Sequence, residues 1–344
     1  MDDNYSIKPV VFITSPFEAE EIRRLEATCD VRWLPGAPHP LPRDVLLKNV
    51  RDVHGLIIWT QDRVDAELLD AAGPQLRVIG TVSVGLDHID LKECQRRGVS
   101  VGYTPGVLTA AVAELTVTLL LMTIRNIQQA LHGVRSGSWF VQGDLSMDLM
   151  GGEVSGSVVG IVGLGSIGLA VATRLKAFQP ARIIYCSSSN TPKAGASLVS
   201  AVHRTSPTLG KEAGQYGSEK SVSQSDIVIA TCSMNRDSNN NLFNAAAFAS
   251  MRSSSVFINV SRGALVDQEA LVSALSSGQI AAAGVDVTSP EPLPPDHPML
   301  QLPNLTVLPH LGWATRRACM STCHVTVDNI LAGLQGHPLP SPVP

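Results

Sequence analysis

The sequence has little of the positive charge that nucleic acids and acidic membrane surfaces attract. It carries 26 Lys and Arg residues against 30 Asp and Glu residues, a formal net charge of -4 at pH 7, and contains no run of basic residues. Such a chain presents no electrostatic footprint for nucleic acid or for an anionic bilayer. We therefore expect no nucleic-acid partner and no membrane partner.

Cysteine is also sparse. The six cysteines have neither the density nor the spacing of a disulfide scaffold, which favours a reducing compartment. Cys319, Cys323 and His324 cluster, but no second pair of ligands completes a tetrahedral metal site. We predict that these are ordinary helix residues and that the protein holds no metal.

Long hydrophobic runs are absent as well. The longest, Ala110 to Ile124, is interrupted by Glu114 and is shorter than the roughly 20 residues that span a bilayer, so we interpret it as a buried helix. The first residues, MDDNYSIKP, resemble neither a secretory signal nor an Arg-rich transit peptide. Together with the cysteine pattern, this leads us to expect a cytoplasmic protein.

What the sequence does contain is a regular alternation of strand-like and helix-like segments. One series of strand-like runs is VVFIT, VRWL, GLIIWT and LRVIGTVS, and a later series is ARIIYC, DIVIAT, SSVFINV, IAAAGVDV and LTVLPH. This rhythm predicts two parallel sheets covered by helices on both faces, and the chain length suits two domains. We expect one long helix from about Leu108 to Val134, and a helical segment from Thr315 to Leu334 that packs on one of the domains.

The chain is organised around a glycine-rich turn. The run VVGIVGLGSIG places Gly163, Gly165 and Gly168 in a G-x-G-x-x-G pattern between an apolar run and an amphipathic segment. In a strand-turn-helix unit of this kind the glycines form the turn, admit a pyrophosphate and let the helix pack on the strand. The pattern predicts dinucleotide binding. The alternative is a glycine-rich turn without a ligand.

The residues after this unit bear on which dinucleotide is bound. An NAD site usually carries Asp or Glu about 20 residues past the glycines to bind the ribose hydroxyls. Positions 186 to 189 are instead Cys-Ser-Ser-Ser, with Lys193 and Arg204 nearby. Because no carboxylate stands there to repel a 2′-phosphate, we predict that NADP(H) is preferred and that NAD(H) is possible. The Ser- and Gly-rich segment from Cys186 to Asp226 is expected to be a mobile surface loop around a short helix.

Three residues that could carry chemistry follow predicted strands. Arg262 follows FINVS, Glu291 lies in SPEP, and His310 ends TVLPH. Reduction of a keto acid needs an Arg to hold a carboxylate or carbonyl, a His to deliver the proton, and a carboxylate to orient that His. Taken one by one, they could equally be a surface cation, a loop acid and a hydrogen-bonded histidine. Spacing alone does not show that they converge.

Six motifs resemble one protein family in both order and spacing: TVSVGLDHIDL, VGYTPG, GLGSIG, INVSRGALVD, GVDVTSPEPLP and LPHLGWAT. They are similar to the D-isomer-specific 2-hydroxyacid dehydrogenases, most closely to their glyoxylate and hydroxypyruvate reductases, over nearly the whole chain. The resemblance implies a Rossmann coenzyme domain, residues 106–315, inserted into a flavodoxin-like substrate domain, residues 1–105 plus 316–344. It also implies hydride transfer from NAD(P)H to a short 2-keto acid, giving the D-2-hydroxy acid, and a homodimer joined through the coenzyme domain.

The resemblance further implies roles for individual residues. Arg262 would bind the substrate carboxylate and carbonyl, His310 would be the general acid/base, and Glu291 would pair with His310. Substrate would also contact the backbone amides of Val84 and Gly85 and the ring of Trp313, where the family usually has a small polar residue. Beyond the three glycines, the implied cofactor contacts are Ser166 and Ile167 at the pyrophosphate, Ser187, Ser188 and Ser189 at the ribose, Ser233 and Val260 at strand ends, and Asp286 and Gly312 near the nicotinamide.

A second class of function uses the same scaffold. Transcriptional corepressors that resemble these dehydrogenases keep a Trp near the active-site His and use the dinucleotide to control assembly. Arg262, Glu291 and His310 are compatible with both classes. The motif TSPEPLP is closer to the reductases, so we favour the enzyme over a dinucleotide-responsive binding protein.

Overall fold

The computed structural model describes residues 8–138, 149–187, 200–204, 222–234 and 239–344, with the backbone alone for 200–204. The chain divides into two compact units, the first made of Met1–Leu108 with Thr315–Pro344 and the second of Thr109–Ala314. Each unit contains one sheet whose strands are all parallel. The predicted fold class, two parallel-sheet α/β domains, is therefore confirmed.

The first unit holds a five-stranded sheet in the order β2-β1-β3-β4-β5, which is the flavodoxin-like order. Its strands are β1 (Val10–Ile13), β2 (Asp30–Arg32), β3 (Gly55–Ile58), β4 (Val78–Thr81) and β5 (Ser100–Gly102). Its helices are α1 (Ala19–Glu26), α2 (Arg43–Asn49), α3 (Ala66–Ala72), α4 (Leu91–Arg96) and α10 (Arg316–Leu334).

Neighbouring residues of a central strand face different cores in this unit. Val10 and Phe12 belong to one apolar cluster, whereas Val11 and Ile13 belong to another that includes Val327 of α10. This is the period-two alternation of a strand buried on both faces. The predicted C-terminal helix therefore packs on the sheet of the first unit.

The second unit holds a seven-stranded sheet in the order β12-β11-β10-β9-β6-β7-β8. Counted from β6, this is the Rossmann order with one strand added at the edge. Its strands are β6 (Val158–Val162), β7 (Arg182–Ser187), β8 (Ser200–Arg204), β9 (Ile227–Ala230), β10 (Val256–Asn259), β11 (Ala282–Val285) and β12 (Leu305–Val307). Its helices are α5 (Thr109–Ile124), α6 (Ile127–Ser136), α7 (Ser166–Leu175), α8 (Ala245–Ala249) and α9 (Gln268–Ser276).

The prediction of a single long helix from Leu108 to Val134 is wrong, because this stretch contains two helices, α5 and α6, which meet at an angle of 63°. Asn126, between α5 and α6, has a left-handed backbone with φ 51°, which interrupts a right-handed helix. Within the described residues, no helix is by itself long and apolar enough to cross a membrane; α5 and α6 meet that test only when taken together.

The expectation of an irregular loop after Cys186 is also wrong in part. Residues 200–204 form β8, which pairs with β7 and brings Arg204 opposite Ser187. A sheet edge supplies hydrogen-bond partners that the polar composition of this segment does not reveal. The rest of the Ser-rich segment, residues 188–199 and 205–221, lies outside the described residues, as do residues 139–148 of the arm that follows α6.

Candidate active site

The glycine-rich turn follows β6 at the carboxyl edge of the second sheet, and two of its glycines are fixed by close packing. A methyl group on Gly163, whose φ is +100°, would lie 2.4 Å from Cα of Cys232. One on Gly168 would lie 2.3 Å from the carbonyl oxygen of Gly163. In contrast, no atom lies within 4 Å of the same position at Gly165. The turn is therefore closed behind Gly163 and Gly168 and open in front of Gly165.

The open side of this turn leads to the first turn of α7. Gly165 is the N-cap residue and supplies no side-chain acceptor, so the backbone N–H groups of Ser166 and Ile167 are available at the helix start. Ser166 is exposed and Ile167 is half-buried. An open approach and unsatisfied donors at a helix N-terminus fit the pyrophosphate of a dinucleotide.

The other predicted cofactor residues follow neighbouring strands of the same sheet. Ser187 is the last residue of β7, Ser233 follows β9 and is exposed, and Val260 follows β10 and is buried. Because the strands are parallel, these positions share the carboxyl edge with the glycine turn. Ser188 and Ser189 lie outside the described residues.

His310 and Glu291 form a direct pair at this edge. Nδ1 of His310 lies 2.9 Å from Oε2 of Glu291, and Oε1 of Glu291 accepts a hydrogen bond of 2.9 Å from the backbone N–H of Thr288. Both side chains are partly exposed. His310 follows β12 by three residues and has a left-handed backbone with φ 57°. The histidine is thus held by a carboxylate that is itself fixed to the backbone.

The carboxyl group of Glu291 is held in its ionised form. Burial raises its pKa, but the hydrogen bond and charge of His310, the N–H of Thr288 and the charge of Arg262 outweigh burial, so its pKa lies below the ordinary value. An ionised Glu291 accepts a hydrogen bond from a protonated Nδ1 of His310. This leaves Nε2 as the ring atom of His310 that can exchange a proton with a substrate.

Arg262 lies on a turn that is packed against the loop carrying Glu291. The adjacent Gly263 lies against that loop so closely that a methyl group on it would be 2.0 Å from the carbonyl carbon of Thr288. The guanidinium of Arg262 donates to the carbonyl of Ser261 at 2.9 Å, and its charge reaches Glu291. The structure therefore brings Arg262, Glu291 and His310 together, which their spacing in the sequence did not show.

Asn259 has a positioning role that the motif analysis missed. It is fully buried at the end of β10, donates to the carbonyl of Arg262 at 2.9 Å and accepts from the N–H of Ser261 at 3.0 Å. These two bonds fix the turn that carries the guanidinium. An amide side chain at the end of the apolar run SSVFIN was the available indication, since a buried polar group needs partners.

Asp286 fixes the loop that carries His310. Its buried carboxylate accepts from the N–H of Leu311 at 2.7 Å and of Gly312 at 2.8 Å, while its backbone carbonyl accepts from the N–H of His310 at 2.8 Å. Burial raises the pKa of Asp286 despite these two N–H donors. Trp313 lies three residues beyond His310 on the same loop and is half-buried.

Val84 and Gly85 belong to the first unit, on the turn that follows β4. Both are half-buried. Their backbone N–H groups make no hydrogen bond to any of the described residues. Two adjacent unsatisfied N–H groups at the carboxyl end of a parallel strand are suited to an anionic oxygen.

Two further observations concern metal ligands and thiols. In the described part of the chain, no group of three or more His, Cys, Asp or Glu side chains is arranged to hold a metal ion. All six cysteines are free thiols. The groups that the described residues offer at the site are a cationic fork, a carboxylate-imidazole pair and backbone donors.

Comparison with known proteins points to one family. A family model described as "D-isomer specific 2-hydroxyacid dehydrogenase, NAD binding domain" matches residues 117–312, more than half of the chain. The glyoxylate reductase/hydroxypyruvate reductase of Mus musculus is 44% identical over 339 residues, covering 96% of this chain and 96% of the mouse protein.

Solved structures agree with this. The crystal structure of TT0316 protein from Thermus thermophilus has a TM-score of 0.85 and 36% identity, over 97% of this chain and 100% of that one. The NADPH-dependent glyoxylate/hydroxypyruvate reductase of Sinorhizobium meliloti, in complex with NADP and malonate, has a TM-score of 0.80 and 30% identity, over 98% and 97% of the two chains.

Proposed function

The chain belongs to the D-isomer-specific 2-hydroxyacid dehydrogenase family, and from this premise we propose that it reduces glyoxylate or hydroxypyruvate to the corresponding 2-hydroxy acid, which has the D configuration when hydroxypyruvate is the substrate. It is an enzyme that uses a nicotinamide dinucleotide. The observation that carries the proposal is the His310–Glu291 pair beside Arg262, at the sheet edge that also holds the glycine turn. The corepressor-like alternative is not favoured, because the relatives are named as reductases.

His310 delivers the proton in this proposal. When bound, the cofactor supplies the hydride that adds to the carbonyl carbon of the keto acid. Nε2 of His310 gives its proton to the carbonyl oxygen, while Nδ1 stays hydrogen-bonded to Glu291. The ionised Glu291 fixes the orientation of the ring through this bond.

Arg262 recognises the substrate anion in this proposal. The planar guanidinium of Arg262 can hold a carboxylate oxygen and polarise the carbonyl through two parallel hydrogen bonds, a geometry that Lys cannot reproduce. The unsatisfied N–H groups of Val84 and Gly85 support the carboxylate contact assigned to them. Trp313, a large residue on the loop of His310, favours the smallest keto acids by filling space beside the reacting group.

NADPH is the preferred cofactor in this proposal. Two observations support it: β7 ends in Cys186 and Ser187 without a carboxylate, and β8 brings Arg204 into register with Ser187. An anion-repelling acid is thus absent from the end of β7, and a cationic residue type ends the neighbouring strand. The relative from S. meliloti is described as NADPH-dependent.

We further propose that the enzyme is a homodimer joined through α6. None of the residues of this helix is buried, although Ile127, Leu131 and Val134 form an apolar stripe at helical spacing. Met150, which follows the arm after α6, is also exposed. A second copy of the chain covers this apolar surface.

The test of the activity is a spectrophotometric assay with NADPH or NADH and glyoxylate, hydroxypyruvate or pyruvate. We expect oxidation of NADPH with glyoxylate and hydroxypyruvate, and a lower kcat/KM with NADH. In the His310→Gln variant the rate should fall by roughly 10² to 10⁴ while cofactor affinity is kept, because proton delivery contributes in the transition state. No turnover by the wild type, or full activity in the variant, would contradict the proposal.

A further inference from the structure

A chain of buried polar side chains lies directly behind the turn that carries Val84 and Gly85. Thr81, the last residue of β4, and Ser83 and His88 are all buried. Oγ1 of Thr81 lies 2.7 Å from Oγ of Ser83 and 3.0 Å from Nε2 of His88. Oγ of Ser83 in turn donates to the carbonyl of Gly85 at 2.8 Å. We name the side chains of His88, Thr81 and Ser83 the β4 relay.

The direction of every proton in the β4 relay follows from its last bond. The carbonyl of Gly85 can only accept, so Ser83 uses its single proton on that bond. The hydroxyl of Thr81 must then donate to Ser83, and it can receive a hydrogen bond only from a protonated Nε2 of His88. Each hydroxyl thus both donates and accepts, an arrangement in which the bonds strengthen one another.

The β4 relay and one backbone bond determine where the two free N–H groups point. The carbonyl of Ser83 accepts from the N–H of Thr104 at 3.0 Å. Because a trans peptide directs its N–H opposite to its carbonyl, this bond turns the N–H of Val84 to the other side. The bond from Ser83 to the carbonyl of Gly85 fixes the far end of the turn. The N–H groups of Val84 and Gly85 are therefore held between two anchored carbonyls.

We propose that Ser83, Thr81 and His88 are positioning residues that orient the backbone amides of Val84 and Gly85 for the carboxylate of the substrate. This rests on the proposed function, in which that turn binds the keto acid. The bonds of the β4 relay end on the carbonyl of Gly85 and involve no group that exchanges a proton with the substrate. Its loss should weaken substrate binding and leave the chemical step nearly unchanged.

Ser83→Ala is the direct test, because it removes the hydroxyl that reaches Gly85 and leaves the backbone bond from Thr104 intact. In the full-length enzyme we expect KM for glyoxylate to rise about tenfold, as for loss of hydrogen bonding to a charged ligand. We expect kcat to change less than about threefold and NADPH affinity to stay constant. Ser83→Thr keeps the hydroxyl and should keep KM near the wild-type value.

The imidazole end of the relay is tested in the same way. His88→Leu removes the donor to Thr81, whereas His88→Gln can still donate to it. We expect KM to rise in the leucine variant and to be largely restored in the glutamine variant. A role in folding alone predicts that KM stays constant in both.

Thr322→Val is the matched control for stability. The buried hydroxyl of Thr322 donates to the carbonyl of Ala318 at 2.7 Å within α10, in the same unit but not in the β4 turn. This variant should lower the Tm and leave KM constant. If Ser83→Ala gives the same result, or lowers kcat at constant KM, the positioning role is overturned. An inactive wild type would contradict the proposed function itself, and this inference with it.

Discussion

Glu291 connects the backbone of one loop to the imidazole of another. Its two carboxylate oxygens are divided between the N–H of Thr288 and the ring of His310, and these groups hold its pKa below the ordinary value against the opposing effect of burial. A carboxyl group whose pKa is lower in the folded state than in the unfolded state stabilises the folded state at pH values above its ordinary pKa. That stabilisation is lost as pH falls through the lower pKa of the folded protein.

Glu291→Gln should therefore change stability in a pH-dependent way. We expect the variant to unfold at a lower temperature than the wild type at about pH 7, and the gap in Tm to narrow as the pH falls and the carboxyl of the wild type becomes protonated. Thermal unfolding followed by circular dichroism over this range measures the gap. A constant gap would show that ionisation of Glu291 does not contribute to stability.

At the scale of secondary-structure elements, the functional groups lie where strands end and helices begin. Parallel strands bring residues that are far apart in the sequence to one edge of the sheet, and the tight turn after β6 lies at this edge. Gly163 has φ +100° and lies against the backbone of Cys232, whereas Gly278, after α9, has φ +71° and no atom within 4 Å of an added methyl group. Substitutions at these two glycines therefore distinguish the effect of a left-handed backbone on stability from the effect of close packing.

We expect Gly163→Ala to weaken NADPH binding by at least about tenfold and to lower the Tm, because the turn must move away from Cys232. In Gly278→Ala the new side chain makes no close contact, so only the left-handed backbone conformation destabilises the fold, by about 1 kcal/mol. This variant should leave NADPH affinity intact. Fluorescence titration with NADPH and thermal unfolding distinguish the two. Equal NADPH affinity in both variants would mean that close packing at Gly163 is not what shapes the cofactor site.

At the scale of the whole molecule, the apolar stripe of α6 predicts assembly. Leu131, in the middle of the stripe, is 45% exposed, and Leu300, on a short helical turn before β12, is 44% exposed. Leu131→Glu should convert a dimer to a monomer, because it places a charged side chain in the proposed apolar interface, where burying an unpaired charge is unfavourable. Leu300→Glu, a change of the same type at equal exposure, should leave the dimer intact. Sedimentation velocity at micromolar concentration measures both, and a monomeric wild type would contradict the assembly.

The sequence by itself determined the features that depend on local order. Apolar runs of four to six residues followed by helix-like segments predicted two parallel sheets, and the Gly163, Gly165 and Gly168 spacing predicted the turn after β6. The family motifs pointed to Arg262, Glu291 and His310, and all three follow strands of one sheet. These features can be predicted because strand period, turn geometry and motif spacing involve only residues close together in the chain.

The tertiary structure alone decided what depends on distant contacts. It ended α5 before Asn126, added β8 to the edge of the second sheet, and packed Gly263 against Thr288 so that Arg262 lies near Glu291. It also showed that the side chains of Asn259 and Ser83 fix turns. No local pattern contains this information, because a buried polar group acquires its partners only when segments far apart in the sequence pack together and exclude water.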